Sequence, residues 1–507
     1  MTAIERARTV AVVGAGTMGQ GIAQVALAAG HPVRLYDAVE GQAARGAQAI
    51  TARLDRLVEK GRLTAAGRDA ARARLRPAAR PAELADSALV IEAIVEELGA
   101  KQKIFAELES IVPDDCLLAT NTSSLSVTAV AGALRLPGRF VGLHFFNPAP
   151  LLPLVEVVRG FATDEDAAER AYGTVAAWGK EPVRCADTPG FIVNRVARPF
   201  YAEAFRLHEE RAADPATLDA VLREGGGFAM GPFELTDLIG QDVNEAVTRS
   251  VYESFFHDPK FRPSLAQRRL VEAGLLGRKS GRGWYDHRES ATRPEPHTSQ
   301  ACEPPKAVSL PARLPAPAAV LRDLIEEAGI AVTHVGTEGM PEGAVRLPGG
   351  ACLALTTGHP ATGHPAGERL ILFDLSLDYR AATRIALAPS ATASPEDIRE
   401  AAGLFQALGK RVSVVDDVPG MIVARTVAMI VDFAADAAAR GVASPEDVDK
   451  AMRLGVNYPG GPLEWAERLG ARWLWELLDT LHHQLPGGRY APSWALRRRA
   501  DTGRQVL

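Results

Sequence analysis

One stretch of the 507-residue sequence occurs twice. DTPGFIVNRV begins at Asp187, and DVPGMIVARTV begins 230 positions later, at Asp417. Residues 187–240 align with residues 417–470 without a gap, and sixteen of the aligned pairs are identical. After the first motif, apolar residues recur at three- and four-residue spacing, which is typical of helices. The sequence therefore predicts a helical domain that is present in two copies.

A glycine-rich turn follows the first apolar run of the chain. Gly14, Gly16 and Gly19 form a GxGxxG pattern between VAVV and an amphipathic helix. This spacing permits a tight turn, a close approach of the backbone to a pyrophosphate, and close packing of helix on strand. Asp37 ends the next run, where a carboxylate accepts hydrogen bonds from ribose hydroxyls and repels a 2′-phosphate. The pattern predicts a dinucleotide site that takes NAD; the alternative is a tight turn without a ligand.

Short β-branched runs alternate with Ala-rich amphipathic segments over the first 186 residues, as in PVRLYD and SALVIEAIVE. This alternation predicts a parallel sheet with crossover helices. The predicted fold class is an α/β Rossmann-type NAD-binding domain followed by an all-α domain, with a degenerate second α/β segment and a duplicated all-α domain. The predicted boundaries are 1–186, 187–286, a proline-rich linker at 287–320, 321–405, and 406–507. Seven prolines in the linker argue against a regular helix or a central strand there.

His144 and Glu156 lie in two successive apolar runs within RFVGLHFFNPAPLLPLVEVV. An unpaired carboxylate is costly to bury, so we expect Glu156 to pair with His144 on a neighbouring strand. A carboxylate orients the imidazole and raises its basicity, which suits proton abstraction from an alcohol. The alternative is a core histidine with satisfied hydrogen bonds. Beside a nicotinamide site, the catalytic interpretation is favoured.

The segment ATNTSSLSV places Asn121 to Ser124 directly after a predicted strand. Open α/β sheets bind ligands at the carboxyl ends of their strands. Small hydroxyl groups there can donate hydrogen bonds to a substrate oxygen. An N-cap for the following helix is an equally good explanation of the same residues.

Seven motifs occur in a specific order over residues 9–286: GAGTMGQGIAQVA, EAIVEE, NTSSLS, GLHFFNPAPLLPLVEVV, DTPGFIVNR, MGPFELTDLIG and GRKSGRGWY. Together they resemble the L-3-hydroxyacyl-CoA dehydrogenase family, and they cover its whole two-domain unit. The resemblance implies hydride transfer from C3 of a (S)-3-hydroxyacyl-CoA to NAD, which gives the 3-ketoacyl-CoA. The fused second half also resembles the longer bacterial members that act on 3-hydroxyadipyl-CoA in phenylacetate catabolism, or on 3-hydroxybutyryl-CoA.

The resemblance also implies roles for individual residues. His144 corresponds to the catalytic base and Glu156 to its partner. Ser123 and Asn194 correspond to groups that bind the substrate's 3-oxygen. The implied cofactor contacts are Gly14, Gly16, Thr17, Met18, Gly19, Asp37, Glu96, Lys101, Ser123, Asn147 and Lys279. Lys60 is the implied CoA contact, but Arg53 stands where the family has serine, and the basic cluster is equally typical of a solvated helix face.

The second copy lacks the polar residues of the implied active site. At an offset of 230, the counterparts of His144, Glu156 and Asn194 are Asp374, Ala386 and Ala424. The second half is therefore predicted to be catalytically silent, and its turn and packing residues predict a partner for the first helical domain. An intrachain pseudo-dimer with one active site, a homo-oligomer, and a passive appendage are the alternatives.

Composition excludes other classes of function. A formal net charge of -5 gives no overall field that would attract nucleic acid or an anionic membrane. The four cysteines are scattered without a CxxC pair, which argues against a disulfide framework or a metal site and favours the cytoplasm. Two other functions stay open: a dehydrogenase of a free hydroxy acid or sugar acid, and a non-catalytic NAD-binding structural protein.

Overall fold

The computed structural model describes residues 3–334, 341, 343–365 and 369–503. The parts of the predicted domains at 1–2, 335–340, 342, 366–368 and 504–507 lie outside the described residues.

The chain forms two compact units. The first unit consists of Met1–Arg195 and Arg440–Val456, and the second of Val196–Ala439 and Asn457–Leu507. A segment of the second helical copy therefore belongs to the same unit as the amino-terminal sheet.

The first unit contains an eight-stranded sheet. Its strands are β1 (Thr9–Val13), β2 (Val33–Tyr36), β3 (Leu75–Ala78), β4 (Ser87–Glu92), β5 (Leu117–Thr120), β6 (Phe140–Phe145), β7 (Leu154–Arg159) and β8 (Glu181–Ala186). Their order is β3-β2-β1-β4-β5-β6-β7-β8, and neighbours are parallel except for β6 and β7. Every residue of β1 and β4 is buried, as expected for apolar strands of a sheet covered on both faces.

Helices connect these strands. They are α1 (Thr17–Ala28), α2 (Gln42–Glu59), α3 (Ala65–Arg74), α4 (Leu98–Ile111), α5 (Val127–Ala131) and α6 (Glu165–Ala177). The first helical copy then forms α7 (Val193–Val196), α8 (Arg198–Glu209), α9 (Pro215–Ala220), α10 (Pro232–Ile239), α11 (Gln241–Ser254) and α12 (Leu265–Glu272).

A second, seven-stranded sheet follows in the second unit. Its strands are β9 (Ala307–Leu310), β10 (Ala331–His334), β11 (Val345–Arg346), β12 (Cys352–Leu355), β13 (Leu370–Phe373), β14 (Arg384–Pro389) and β15 (Arg411–Val414), in the order β10-β9-β11-β12-β13-β14-β15. The remaining helices are α13 (Leu321–Glu327), α14 (Pro395–Ala407), α15 (Val423–Ala439), α16 (Pro445–Val456), α17 (Pro462–Leu469), α18 (Ala471–Gln484) and α19 (Trp494–Thr502). The predicted fold class is confirmed. Within the described residues, no helix has the length and apolar character needed to cross a membrane.

The predicted linker at 287–320 was wrong in part. Strand β9 lies inside that range and is an internal strand, bonded to β10 on one side and β11 on the other. The four residues AVSL between Pro305 and Pro311 are free of proline, and four residues are enough for a ladder. The second sheet also extends to Val414, beyond the predicted end of the α/β segment at residue 405.

The repeat extends into both sheets. Strands β13 and β14, helix α14 and strand β15 begin 230 residues after β6, β7, α6 and β8, respectively. The antiparallel pairing is repeated as well: Leu143 is opposite Val157, and Phe373 is opposite Leu387. The duplicated unit is therefore an edge of the sheet together with its helical domain, and not the helices alone.

The two copies exchange a segment. In the first unit, Ala186 N–H at the end of β8 donates to the Val442 carbonyl at 2.7 Å. In the second unit, Asp416 N–H donates to the Ala212 carbonyl at 2.9 Å. These two hydrogen bonds join equivalent positions of the repeat. The last strand of each sheet is thus covered by the chain that leads into a helix of the other copy.

Helices α8 and α15, which are equivalent in the two copies, pack together inside the second unit. The wholly buried carboxylate of Glu203 on α8 accepts hydrogen bonds from Arg425 Nε on α15 (2.9 Å), Arg489 Nε (2.8 Å) and the Tyr490 hydroxyl (2.8 Å). A buried charge needs such partners, because desolvation without them is costly.

Candidate active site

The glycine turn between β1 and α1 has a separate reason for each glycine. Gly14 has φ +104°, and a Cβ there would lie 2.4 Å from the Ala93 carbonyl oxygen. A Cβ at Gly19 would lie 1.7 Å from the carbonyl oxygen of Gly14. A Cβ at Gly16 would meet no atom within 4 Å, so no protein packing requires glycine there. The open space at Gly16 fits the close approach of a pyrophosphate to the backbone.

A cleft of about 790 Å³ opens beside this turn in the first unit. Its walls include Gly14, Gly16, Tyr36, Asp37, Val39, Gln42, Ile94, Val95, Lys103 and Glu107. Asp37 accepts hydrogen bonds from the N–H groups of Ala15 (2.7 Å) and Val39 (2.9 Å), which fix its carboxylate at the end of β2. This is where the sequence predicts that a carboxylate meets the ribose of NAD.

Helix α1 begins at Thr17, which is exposed, while the Met18 side chain is partly buried against the core of the sheet. No acidic residue lies in its first turn. The amino terminus of a helix favours an anionic group, so the residues from Gly16 to Met18 fit a dinucleotide phosphate.

Replacing Gly16 by valine is expected to raise the Kd for NADH at least tenfold, because the side chain would fill the space that the pyrophosphate needs. A fluorescence titration with NADH measures the effect. Gly99→Val is the matched control, since Gly99 also has no atom within 4 Å of a built Cβ but lies outside the cleft walls. Unchanged NADH affinity in a folded Gly16→Val protein would contradict the assignment of the turn.

The predicted pairing of His144 with Glu156 is present. The two residues are directly opposite each other in the antiparallel pair β6–β7, and both side chains are buried. His144 Nδ1 lies 2.6 Å from Glu156 Oε2. Glu156 Oε1 accepts hydrogen bonds from the N–H groups of Ile192 (3.0 Å) and Val193 (2.9 Å) at the start of α7. The carboxylate is thus held from both sides, and Nε2 is the ring nitrogen with which His144 can address a substrate.

Glu96 organises the loop that follows β5. Its Oε1 accepts hydrogen bonds from Thr122 Oγ1 (2.7 Å) and from the N–H groups of Ser123 (2.8 Å) and Ser124 (3.0 Å). Burial alone would raise the pKa of Glu96, but the Lys101 charge and these hydrogen bonds lower it to about 2. Lys101 is itself buried, with Nζ 2.6 Å from Glu92 and 3.3 Å from Glu96. The predicted cofactor contacts Glu96 and Lys101 therefore hold the Ser123 loop in place.

Asn194 Nδ2 donates to the Ser123 carbonyl at 3.2 Å, which joins the start of the helical copy to this loop. Asn121 Oδ1 accepts from Phe145 N–H at 2.8 Å and fixes the loop to the end of β6. Asn147, two residues beyond β6, is exposed. The structure thus brings together Ser123, His144, Glu156 and Asn194 in the first unit.

Three of the singled-out residues are not part of this cluster. Lys60 is exposed at the end of α2, and Arg53 on the same helix donates to Gln20 on α1. Lys279 belongs to the second unit, where Nζ lies 2.6 Å from Asp242. Their assigned contacts with CoA or NAD stay predictions.

Sequence reasoning missed the backbone donors to Glu156 and the role of Asn121. The residues that precede α7 contain a signal for the first of these, since Pro189-Gly190 marks a turn and the helix begins directly after it. Helix amino termini offer N–H groups that lack partners within the helix, and a buried carboxylate nearby satisfies them.

The second copy replaces this pair by a single residue. Asp374 stands at the position of His144, and its carboxylate accepts the N–H groups of Ile422 (3.0 Å), Val423 (2.7 Å) and Ala424 (3.0 Å). Burial raises the pKa of Asp374 to about 6. Asp374 therefore provides the hydrogen bonds to the helix start that Glu156 provides in the first copy, without an imidazole that could act as a base.

The chain matches known families over most of its length. The 3-hydroxyacyl-CoA dehydrogenase NAD binding domain matches residues 9–188, and the 3-hydroxyacyl-CoA dehydrogenase C-terminal domain matches 190–287 and again 420–505. The 3-hydroxybutyryl-CoA dehydrogenase reduced Rossmann-fold domain matches residues 353–419.

Individual relatives agree with these matches. The chain is 44% identical to 3-hydroxyadipyl-CoA dehydrogenase of Escherichia coli K12 over 97% of both chains. It is 42% identical to 3-hydroxybutyryl-CoA dehydrogenase of Mycobacterium tuberculosis H37Rv over 55% of this chain and 98% of the relative. The crystal structure of 3-hydroxybutyryl-CoA dehydrogenase from Escherichia coli K12 is similar with a TM-score of 0.88 and 43% identity, over 98% of each chain.

Proposed function

Because the chain belongs to the 3-hydroxyacyl-CoA dehydrogenase family, we propose that it oxidises a (S)-3-hydroxyacyl-CoA with NAD at His144, and that 3-hydroxyadipyl-CoA is its preferred substrate. The observation that carries the proposal is the buried His144–Glu156 pair in the same unit as the glycine turn. The single catalytic site is assigned to the first copy.

NAD supplies the acceptor for the hydride that leaves C3 of the substrate. Gly14, Gly16 and Asp37 would hold this cofactor, as the open space at Gly16 and the adjoining cleft indicate. We assign proton removal from the 3-hydroxyl group to His144 Nε2. Glu156, held by two backbone N–H groups, keeps the ring in place and stabilises its protonated form.

The Ser123 loop is assigned to the substrate's oxygen. The Ser123 hydroxyl and the Asn194 side chain lie next to one another, since Asn194 bonds the Ser123 carbonyl. Glu96 holds Ser123 and Ser124 by their N–H groups, so the loop needs little rearrangement when the substrate binds. In the reverse direction the same hydroxyl and the imidazolium would polarise the ketone.

The preference for 3-hydroxyadipyl-CoA is supported by the match along the whole chain. The relative of that name shares both copies of the repeat with this chain, at 97% coverage. A full-length solved structure carries the name 3-hydroxybutyryl-CoA dehydrogenase, so the shorter acyl group is the second candidate.

A substrate panel tests the proposal. We expect kcat/KM for 3-hydroxyadipyl-CoA to exceed that for 3-hydroxybutyryl-CoA at least tenfold, since the two differ in a chain extension and a terminal carboxylate. The reverse reaction with NADH should reduce acetoacetyl-CoA and leave free acetoacetate unchanged. Equal turnover of the two hydroxyacyl-CoA esters would reject the adipyl preference, and reduction of free acetoacetate would favour a dehydrogenase of free acids.

The expected partners follow from this proposal. The acyl-CoA is the substrate, with Lys60 as the assigned contact of its CoA moiety. The α8–α15 pair supports an intrachain pseudo-dimer in place of a second subunit. All four cysteines are free thiols, which favours the reducing cytoplasm.

A further inference from the structure

Helix α16 of the second copy lies against β7 and β8 of the first sheet, within the first unit. Asp447 Oδ2 accepts the Arg184 N–H at 2.9 Å, and Lys450 Nζ lies 2.6 Å from Glu181 Oε2. These contacts, together with the Ala186–Val442 hydrogen bond, fix α16 along the strand next to β7.

Gly455, near the end of α16, approaches the support of the catalytic pair. A Cβ at this position would lie 2.7 Å from Leu154 Cδ2 and 3.1 Å from Val193 Cγ2. Leu154 precedes Glu156 by two residues in β7, so the two side chains share a face of the sheet. The Val193 N–H is one of the two donors to Glu156. Gly455 therefore contacts both elements that hold the Glu156 carboxylate.

The equivalent position of the first copy provides a natural comparison. Gly225 lies 230 residues before Gly455, in the π-helical turn Val221–Gly225, and a Cβ there would lie 3.1 Å from the Arg384 carbonyl oxygen. Arg384 is the counterpart of Leu154 at the start of β14. The same close packing thus exists beside the silent copy, where no histidine–glutamate pair depends on it.

We propose that Gly455 is a positioning residue of the second copy, which sets the Glu156 carboxylate, and through it His144, for catalysis in the first copy. The inference rests on the proposed function, since it assumes that His144 is the base. It gives the silent copy a role in catalysis: the active site is complete only when the chain has returned to its first unit.

Gly455→Ala in the full chain tests the inference. The added methyl group has to push Leu154 or Val193 aside, and a misplacement of about 1 Å in an active site can reduce the rate about a hundredfold. We expect kcat to fall at least tenfold, while the Kd for NADH stays within twofold, because the glycine turn is not touched. Leu154→Val removes the Cδ2 atom that the methyl group meets, so Gly455→Ala/Leu154→Val is expected to recover most of the kcat of Leu154→Val alone.

Gly225→Ala is the matched control and should leave kcat unchanged. A folded Gly455→Ala protein with wild-type kcat would overturn the inference, as would an equal loss in Gly225→Ala or the absence of rescue by Leu154→Val. Should Gly455→Ala not fold, Asp447→Asn/Lys450→Met loosens α16 without a clash and should lower kcat at least about threefold; unchanged kcat there overturns the inference too. A wild-type protein that oxidises no 3-hydroxyacyl-CoA would instead refute the proposed function, which separates the two failures.

Discussion

Replacing His144 by glutamine is expected to lower the kcat for 3-hydroxyacyl-CoA oxidation by a factor of about 10²–10⁴, which is the usual contribution of a general base. Glutamine has a similar reach but cannot take the proton from the 3-hydroxyl group. The Glu156 carboxylate stays bonded to Ile192 and Val193, so the fold around the site is preserved. Steady-state kinetics with a saturating acyl-CoA substrate measures the loss.

The His144→Gln protein should bind NADH with a Kd within twofold of wild type, because the cleft beside Gly16 and Asp37 does not include His144. His483→Gln is the matched control, since the His483 side chain is 72% exposed in the second unit and should not affect kcat. Wild-type turnover in His144→Gln would remove His144 from the mechanism. Equal losses of turnover and NADH binding would instead indicate a damaged fold.

Replacing Glu203 by glutamine is expected to lower the free energy of unfolding of the second unit by about 3–5 kcal/mol, the usual effect of removing one partner from a buried ion pair. Burial alone would raise the pKa of Glu203, but the charges of Arg489 and Arg425 hold it at about 2, so the carboxylate is ionised at neutral pH. Glutamine leaves two buried guanidinium groups without that charge and turns an amide N–H₂ towards their donors. Urea unfolding followed by tryptophan fluorescence measures the change, since five of the six tryptophans lie in the second unit.

Glu476→Gln is the matched control for this experiment. Glu476 pairs with Arg472 on the surface of α18, where both side chains are at least half exposed, and such pairs contribute about 0–1 kcal/mol. If Glu203→Gln destabilises the protein no more than Glu476→Gln does, the buried network between α8 and α15 is not what holds the two helical copies together.

The sequence was sufficient where the evidence is local. The glycine spacing around Gly16 predicts a turn because each position has its own steric requirement. The pairing of His144 with Glu156 could be predicted because both lie in apolar runs and a buried carboxylate needs a partner. The loss of the polar residues in the second copy was likewise visible from a constant offset.

Features that depend on distant parts of the chain could not be predicted. Strand β9 was hidden because the surrounding prolines dominate its composition, while its pairing with β10 and β11 is a tertiary property. Asp374 was seen as a lost histidine, since nothing in the sequence shows that its carboxylate reaches the start of α15. The exchange that places α16 on β8 joins residues that are more than 250 positions apart, and no local pattern encodes it.

The exchanged segment also sets an order of events during synthesis. Domains at the amino terminus of a protein generally fold first, while the rest of the chain is still being made. Here the edge strand β8 has been translated long before Val442 and Asp447, which cover it in the finished protein, leave the ribosome. An uncovered edge strand is a template for pairing with other chains, so the nascent polypeptide passes through an aggregation-prone stage. The amino-terminal unit of this protein is among the last parts to be completed.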